Sequence, residues 1–203
     1  RPTISNIRFS GRFLPQHVSR GLDGAPIDSI VSITSLFGDR TPVKIENMVF
    51  EGVQSGAWLA LRATRCNLTI SGLHFLDYHS TAAYPLAISL RDLSQLAVTG
   101  MSVVSSTGQI EISRVVFLSI NSLRIYKSMA VSQVFLAISS FTSARLEGLD
   151  ISEINDAVPI AISTGSTFQM ARASFFNNTN LGDISAGVHI SDVEVVEIRE
   201  SHW

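Results

Sequence analysis

The sequence predicts an all-β protein whose chain coils into a solenoid of stacked rungs. Three observations support this prediction. A short pattern recurs along the 203 residues, its apolar residues alternate with a period of two, and a tight corner interrupts each copy. The first copy reads Ile4-Ser-Asn6-Ile7-Arg-Phe9. A unit this small cannot bury its apolar face alone, so stacked neighbours must cover it.

The second apolar residue of each copy marks one rung, and we call it the anchor. Successive anchors lie 21 to 28 residues apart, except for a first interval of 41 residues that contains a long loop insertion over residues 10–28. A nearly constant repeat with variable loops predicts about eight rungs of roughly 25 residues. The eight anchors, which we expect to form one interior stack, are Ile4, Ile45, Ile70, Val98, Ile125, Leu146, Met170 and Val195.

The period of two within each copy is typical of a strand rather than a helix. The alternation slips in the middle, because Ile4 and Ile7 are three positions apart, and both apolar pairs can face one interior only across a sharp corner. Five copies place a residue there that tolerates a left-handed backbone: Asn6, Asn47, Gly72, Gly100 and Gly148. The other copies place Lys127, Arg172 and Glu197 there. Beyond the corner, we expect a second interior stack of Phe9, Phe50 and Phe75.

A third strand precedes each anchor, as in Leu86–Leu90 and Ile110–Ile112. Each rung then has three strands, one sharp corner and two looser connections. This arrangement resembles the right-handed parallel β-helix of the pectin-lyase-like superfamily over the whole chain, as a single domain of residues 1–203. Phe175-Phe-Asn-Asn178 is also weakly similar to the repeats of polymorphic outer-membrane and adhesin-like proteins. These resemblances imply the fold rather than an activity, because this scaffold hosts many functions.

Composition narrows the possible functions. Charged residues make up only 16% of the chain, the net charge is −2, and no basic run occurs, which argues against nucleic acid binding. No apolar stretch approaches the roughly 20 residues of a membrane span. Cys66 is the only cysteine, so we expect a buried thiol rather than an internal disulfide. The strand-like end at Val193–Ile198 has no polar cap, which indicates a processed chain, a segment of a longer one, or ends that stack on other subunits.

The outward positions of the third strand carry little chemistry. They are mostly Ser and Ala, with one carboxylate, Glu111, and one imidazole, His189. These two lie three rungs apart, which at about 4.8 Å per rung is roughly 14 Å. General acid–base catalysis needs two titrating groups within reach of one bond. The sequence therefore predicts no catalytic residue, and we expect no metal ligands and no cofactor.

The outward positions near the second interior stack are more informative, because many are apolar. Contiguous exposed apolar residues mark an interaction surface, unless loops of the same chain cover them. The predicted interaction strip comprises Val49, Leu76, Val104, Met129, Val131 and Phe176. Two glycosylation sequons, at Asn67 and Asn177, are compatible with a secreted eukaryotic protein.

These features favour a non-catalytic β-helix at the cell surface or outside the cell, acting as a structural or adhesin-like subunit of a larger assembly. Its expected partners are other protein chains or missing rungs of a parent protein, and glycans are a further candidate. Two alternatives stay open. One is a polysaccharide-acting lyase or hydrolase of the pectin-lyase-like class, supported by the fold resemblance. The other is a glycan-binding module that uses the loop of residues 10–28.

Overall fold

The computed structural model describes residues 2–13, 29–34, 42–55, 59–80, 86–130, 133–155, 157–179 and 187–202. Within these ranges every regular element is a strand, as the alternating pattern predicted. No helix in these ranges is long and apolar enough to cross a membrane. The strands are β1 (Thr3–Phe13), β2 (Ser29–Thr34), β3 (Pro42–Ser55), β4 (Leu59–Thr64), β5 (Asn67–Leu76), β6 (His79–Ser80), β7 (Leu86–Val104), β8 (Gln109–Tyr126), β9 (Val134–Ser152), β10 (Val158–Phe176) and β11 (Val188–Arg199).

The strands stack in parallel, in the order β1-β3-β5-β7-β8-β9-β10-β11, with β2 and β4 joining the stack beside β7. The long strands bend at corners, so one strand contributes to several faces of the solenoid. Face A contains β2, β4 and residues 86–91, 109–113, 134–139, 158–163 and 188–191. Face B carries the anchors, and face C carries the Phe9 stack. The described residues form six complete turns with a partial turn at each end, close to the eight rungs predicted.

The anchor stack is confirmed at six of its eight positions, from Ile4 to Val98 and at Leu146 and Met170. The predictions for Ile125 and Val195 were wrong. Ile120 lies between Val98 and Leu146, and Ile198 lies beside Met170. The physical reason is that the two apolar pairs flanking a corner look alike, so the pattern alone permits a rung to be read from the wrong pair.

The second interior stack is confirmed. The rings of Phe9 and Phe50 lie 4.7 Å apart, and those of Phe50 and Phe75 lie 4.8 Å apart, close to parallel in both pairs. Ile125 belongs to this stack, since it pairs with Val103 on one side and with Ile151 on the other. Phe50 and Phe75 are fully buried, and Phe9 is half-buried at the end of the stack.

The corner between faces B and C is left-handed at all five predicted Asn and Gly positions, with φ between 51° and 74°. Arg172 is also a corner residue of this column, with φ of 54°. The predictions for Lys127 and Glu197 were wrong. Each was placed two residues after a wrongly assigned anchor, Ile125 or Val195. Lys127 has positive φ but lies at the corner after face C, and Glu197 is not a corner residue. The complete column is Asn6, Asn47, Gly72, Gly100, Ser122, Gly148, Arg172 and Glu200.

The two connections predicted to be looser are also sharp corners. Each corner between faces A and B that the structure describes has a residue with positive φ, and so has each described corner after face C. Non-glycine residues occupy most of these positions, so the residue types did not predict these corners. The A–B column is Arg65, Asp92, Arg114, Ser140, Thr164 and Asp192, and the column after face C is Gly11, Gly52, Asp77, Ser105, Lys127, Glu153 and Asn177.

Where the structure describes it, the interior is mostly apolar, and a short polar ladder lies beneath the corner after face C. The amide of Tyr78 donates to Ser106 Oγ at 3.1 Å, and the amide of Ser106 donates to Ser128 Oγ at 3.3 Å. Farther along, the amide of Ile154 donates to Asn178 Oδ1 at 2.9 Å. These side chains satisfy backbone groups that a corner withdraws from the sheet. Cys66 is buried as expected, and burial raises the pKa of its thiol.

Candidate interaction surface

The outer edge of face C brings three of the predicted strip residues into one row. Leu76 pairs with Val104, and the row continues through Tyr126 and Ser152 to Phe176. Leu76 and Val104 are half-buried, whereas Phe176 is 71% exposed. Successive members stand one rung apart, so they form a ladder of side chains parallel to the solenoid axis.

The remaining predicted strip residues lie beside this row rather than in it. Val49 is half-buried in the neighbouring row of face C, between Arg8 and His74. Met129 lies beyond the corner, bridged to Thr107 and Asn155, and is 54% exposed. Val131 lies outside the described residues. We use the name apolar strip for Leu76, Val104, Tyr126, Met129 and Phe176.

Tyr126 is a member of this surface that sequence reasoning missed. Arg124 and Lys127 place their charged groups 5.6 Å and 5.1 Å from the centre of its ring. A hydrogen bond with Tyr126 raises the pKa of Lys127. Assigning Ile125 to the Phe9 stack would have revealed Tyr126, because the residue after Ile125 then lies in the outer row beside Val104.

Opposite charges stand in pairs along the strip. Arg124 Nε lies 3.6 Å from an oxygen of Asp150, and Lys127 Nζ lies 3.9 Å from an oxygen of Glu153. Each pair joins adjacent rungs. The border of the strip is therefore charged but nearly neutral in sum, and such exposed pairs contribute little to stability by themselves.

A hydrogen-bonded chain of carboxylate, imidazole and hydroxyl also lies near the strip. His79 Nε2 is 2.9 Å from Asp77 Oδ1, and His79 Nδ1 is 3.4 Å from Thr107 Oγ1. Nucleophilic hydrolases use this order of groups, together with free amides that stabilise an oxyanion. Here the amides of Asp77, Thr107 and Gly108 donate to backbone carbonyls instead. The arrangement therefore ties neighbouring rungs together.

The structure places Glu111 and His189 in the same outer row of face A, with Ala137 and Ala161 between them. The predicted separation of three rungs is thus confirmed. Glu111 forms an ion pair with Arg91. The described part of the chain contains no group of three or more His, Cys, Asp or Glu side chains able to hold a metal ion. The glycan-binding alternative rests on a loop that lies, from residue 14 to residue 28, outside the described residues.

The two sequons occupy different environments. Asn67 opens β5 and is half-buried, and its Oδ1 is buried without a hydrogen-bond partner. Asn177 is exposed at a corner, with φ of 51°. The hydroxyl of Thr179 in the second sequon donates to Asn155 Oδ1 at 3.0 Å. Only Asn177 points its side chain from an exposed position, which makes it the better acceptor for a bulky glycan.

No protein-family model, curated protein or solved structure matches this chain. The parallel β-solenoid is therefore established by the strand pairing in the structure and not by similarity to a known protein. Kinship with the pectin-lyase-like superfamily or with adhesin-like repeats stays a prediction.

Proposed function

We propose that this protein is a non-catalytic structural subunit that associates with a second copy of itself through the apolar strip. The observation that carries the proposal is the exposure of large apolar side chains along one edge of the solenoid, with Phe176 71% and Met129 54% exposed. Removing apolar area from water contributes roughly 25 cal/mol per Å². A row of such residues is the kind of surface that association covers.

A second copy is the occupant that the geometry favours. Two solenoids of one sequence have the same rung spacing of about 4.8 Å, so side chains of one strip can fit between those of the other over several rungs. A two-fold interface also requires that the surface be compatible with itself. The paired charges of Arg124 with Asp150 and of Lys127 with Glu153 meet this requirement, because they add little net repulsion.

The proposal extends to an extracellular or cell-surface location and an adhesin-like role. The low charged fraction of 16% and the exposed sequon at Asn177 support this location. The parallel ladders that join every described rung make the solenoid a stiff rod, which suits a structural or adhesive element.

The test is the mass of the folded protein in solution. We expect the wild type to form a dimer by analytical ultracentrifugation and native mass spectrometry, and Phe176→Glu combined with Met129→Glu to be monomeric. Circular dichroism should be the same for both, since neither side chain contributes to the interior. A monomeric wild type at high micromolar concentration would refute the proposal.

The chain offers a matched control in Phe117, which is 58% exposed on face B, away from the strip. Phe117→Glu combined with Val116→Glu, whose side chain is 37% exposed, introduces the same two apolar-to-glutamate changes on a different face. We expect this variant to remain dimeric. If it dissociates as readily as the strip variant, the association depends on general apolar exposure and the strip is not the interface.

A further inference from the structure

We propose that an N-linked glycan on Asn177 controls self-association by covering the apolar strip. Asn177, Asn178 and Thr179 form a complete sequon, since the middle residue is not proline. Because the glycan acts at the interface assigned to the strip, this role depends on the proposed function. It adds a modification site and a form of regulation to that interface: the unmodified chain dimerises, and the glycosylated chain is monomeric.

The sequon borders the two most exposed members of the strip. Phe176 directly precedes Asn177 in the chain and is 71% exposed. From the end of the sequon, Thr179 Oγ1 donates to Asn155 Oδ1 at 3.0 Å, and Asn155 is bridged to Met129, which is 54% exposed. A bulky group on Asn177 therefore lies beside the part of the strip that a partner would cover.

The neighbours of Asn177 are held against the adjoining rung, while Asn177 itself is exposed. The carbonyl of Phe176 accepts a hydrogen bond from the amide of Glu153 at 3.1 Å. Asn178 Oδ1 accepts one from the amide of Ile154 at 2.9 Å. Between these anchored residues, Asn177 lies at a corner with φ of 51°. The attachment point of the glycan is therefore fixed next to the strip.

The modification is a glycosyl transfer, catalysed by a transferase of a secretory pathway from a lipid-linked oligosaccharide pyrophosphate. The side-chain nitrogen Nδ2 of Asn177 forms a bond to the anomeric carbon of the first sugar. The bond from that carbon to the pyrophosphate oxygen breaks, the lipid pyrophosphate leaves, and Nδ2 loses one proton. The product is a bulky, hydrated group that stays covalently attached at the border of the strip.

Folding and modification compete for the sequon. The acceptor motif requires the hydroxyl of its third residue, and in the folded solenoid the hydroxyl of Thr179 is engaged with Asn155. The side chain of Asn178 is also tied to the adjoining rung, through Ile151 and Ile154. Modification therefore has to precede the folding of this rung. Chains that fold first keep a bare strip and dimerise, so the occupancy of Asn177 sets the fraction of chains that associate.

A glycan at this position is difficult for a symmetric dimer to avoid. A two-fold interface uses the same surface of both chains, so every such interface contains Asn177 twice. The strip extends over four rungs from Leu76 to Phe176, which is roughly 19 Å. A strip this short keeps all its contacts near the sequon. Steric exclusion by an attached group then acts on the whole interface.

The test compares wild-type chains secreted from a eukaryotic host with the same chains from a host without N-glycosylation. By native mass spectrometry and analytical ultracentrifugation, we expect unmodified chains to be dimers and glycosylated chains to be monomers. The dimer dissociation constant should rise by at least about a hundredfold on glycosylation, because the glycan excludes the partner. Glycosylated chains that dimerise as well as unmodified ones, or a secreted wild type without a glycan, would overturn the inference. If unmodified chains are monomeric, the proposed interface itself fails.

Two substitutions of one residue separate the glycan from the sequence change. In the secretory host, Thr179→Ala should abolish the glycan and restore the dimer, although Asn177 is still present. Thr179→Ser keeps both the sequon and the hydroxyl, so this variant should carry the glycan and be monomeric like the glycosylated wild type. A dimeric, glycosylated Thr179→Ser variant would overturn the inference.

The control moves the glycan to another edge of the solenoid. Asp192 is an exposed corner residue between faces A and B with φ of 52°, and Glu194 is also exposed. In an Asn177→Gln background, Asp192→Asn combined with Glu194→Thr creates a sequon at a corner of similar backbone geometry. We expect this variant to be glycosylated and dimeric. A glycosylated monomer would overturn the inference, because the bulk of any glycan would then prevent association irrespective of the strip.

Discussion

Gly165 is a position where adding one methyl group should test the packing of the solenoid directly. Gly165 pairs with Phe141 on the neighbouring rung, and Phe141 is only 5% exposed. A Cβ on residue 165 would lie 2.2 Å from Cζ and 2.3 Å from Cε2 of that ring. Carbon atoms pack best at roughly 3.5–4.0 Å, so the ring would have to move by more than about 1 Å.

The magnitude follows from this collision. Forcing extra volume into a packed core costs roughly 1–3 kcal/mol, and the depth of the overlap favours the upper part of that range. The backbone of Gly165 is not left-handed, so alanine adds no strain there. In a strand it would otherwise stabilise by about 0.5–1 kcal/mol relative to glycine. A net loss of stability in Gly165→Ala therefore has to come from the ring of Phe141.

A double-mutant cycle isolates this contact. Phe141→Ala alone should cost roughly 3–5 kcal/mol, as for other buried phenylalanines. In the double variant the methyl group added by Gly165→Ala enters the space the ring has left, so the combined cost should fall about 1–3 kcal/mol below the sum. Urea unfolding followed by circular dichroism measures all four proteins, with Ser163→Ala on the same strand as a control. Additive costs, or an unchanged midpoint for Gly165→Ala, would refute the reasoning.

Gly100→Val should lower the free energy of unfolding by roughly 1–2 kcal/mol, because its φ is 68° while a Cβ would meet its nearest atom at an ordinary 3.9 Å; an unshifted melting curve would contradict this. Thiol reagents should label Cys66 only after unfolding, since burial raises its pKa and the thiolate is the reactive form; rapid labelling of folded protein would be inconsistent. The hydrogen bond from Arg114 lowers the pKa of Asp92, so its contribution is present at neutral pH and lost as pH falls below about 4. In Asp92→Asn the urea unfolding midpoint should fall slightly less steeply as the pH is lowered than it does in the wild type. A steeper fall would contradict the predicted direction. In a eukaryotic secretory host, Asn177→Gln should remove a glycan visible by intact mass, whereas an unglycosylated wild type would argue against use of this sequon.

The stacks and one corner could be predicted from the sequence because they limit the residue types allowed. Interior positions such as Ile45 and Phe50 must be apolar, and left-handed corners favour Asn47 or Gly72. The two other corner columns could not be predicted. Their residues, such as Arg65 and Glu153, adopt positive φ because the stacked rungs above and below hold the backbone there, and not because of intrinsic preference.

The candidate surfaces depended on register, which only the tertiary structure decided. Leu76 and Phe176 are 100 positions apart in the sequence and four rungs apart in space. The sequence reading placed Ile125 on face B instead of face C, and Tyr126 was therefore not recognised as a residue of the strip.

By itself, the sequence determined that the chain forms strands of alternating apolar and polar residues, that these strands turn at corners and that the rungs stack. The alternation with a period of two and the corner residues are local properties of the sequence. It could not determine which apolar pair of a rung lies on which neighbour. Every parallel ladder satisfies the same backbone hydrogen bonds, so the choice of register rests on side-chain packing between rungs. That packing brings Tyr126 and Phe176 to one edge of the solenoid, and it exists only once the rungs have stacked.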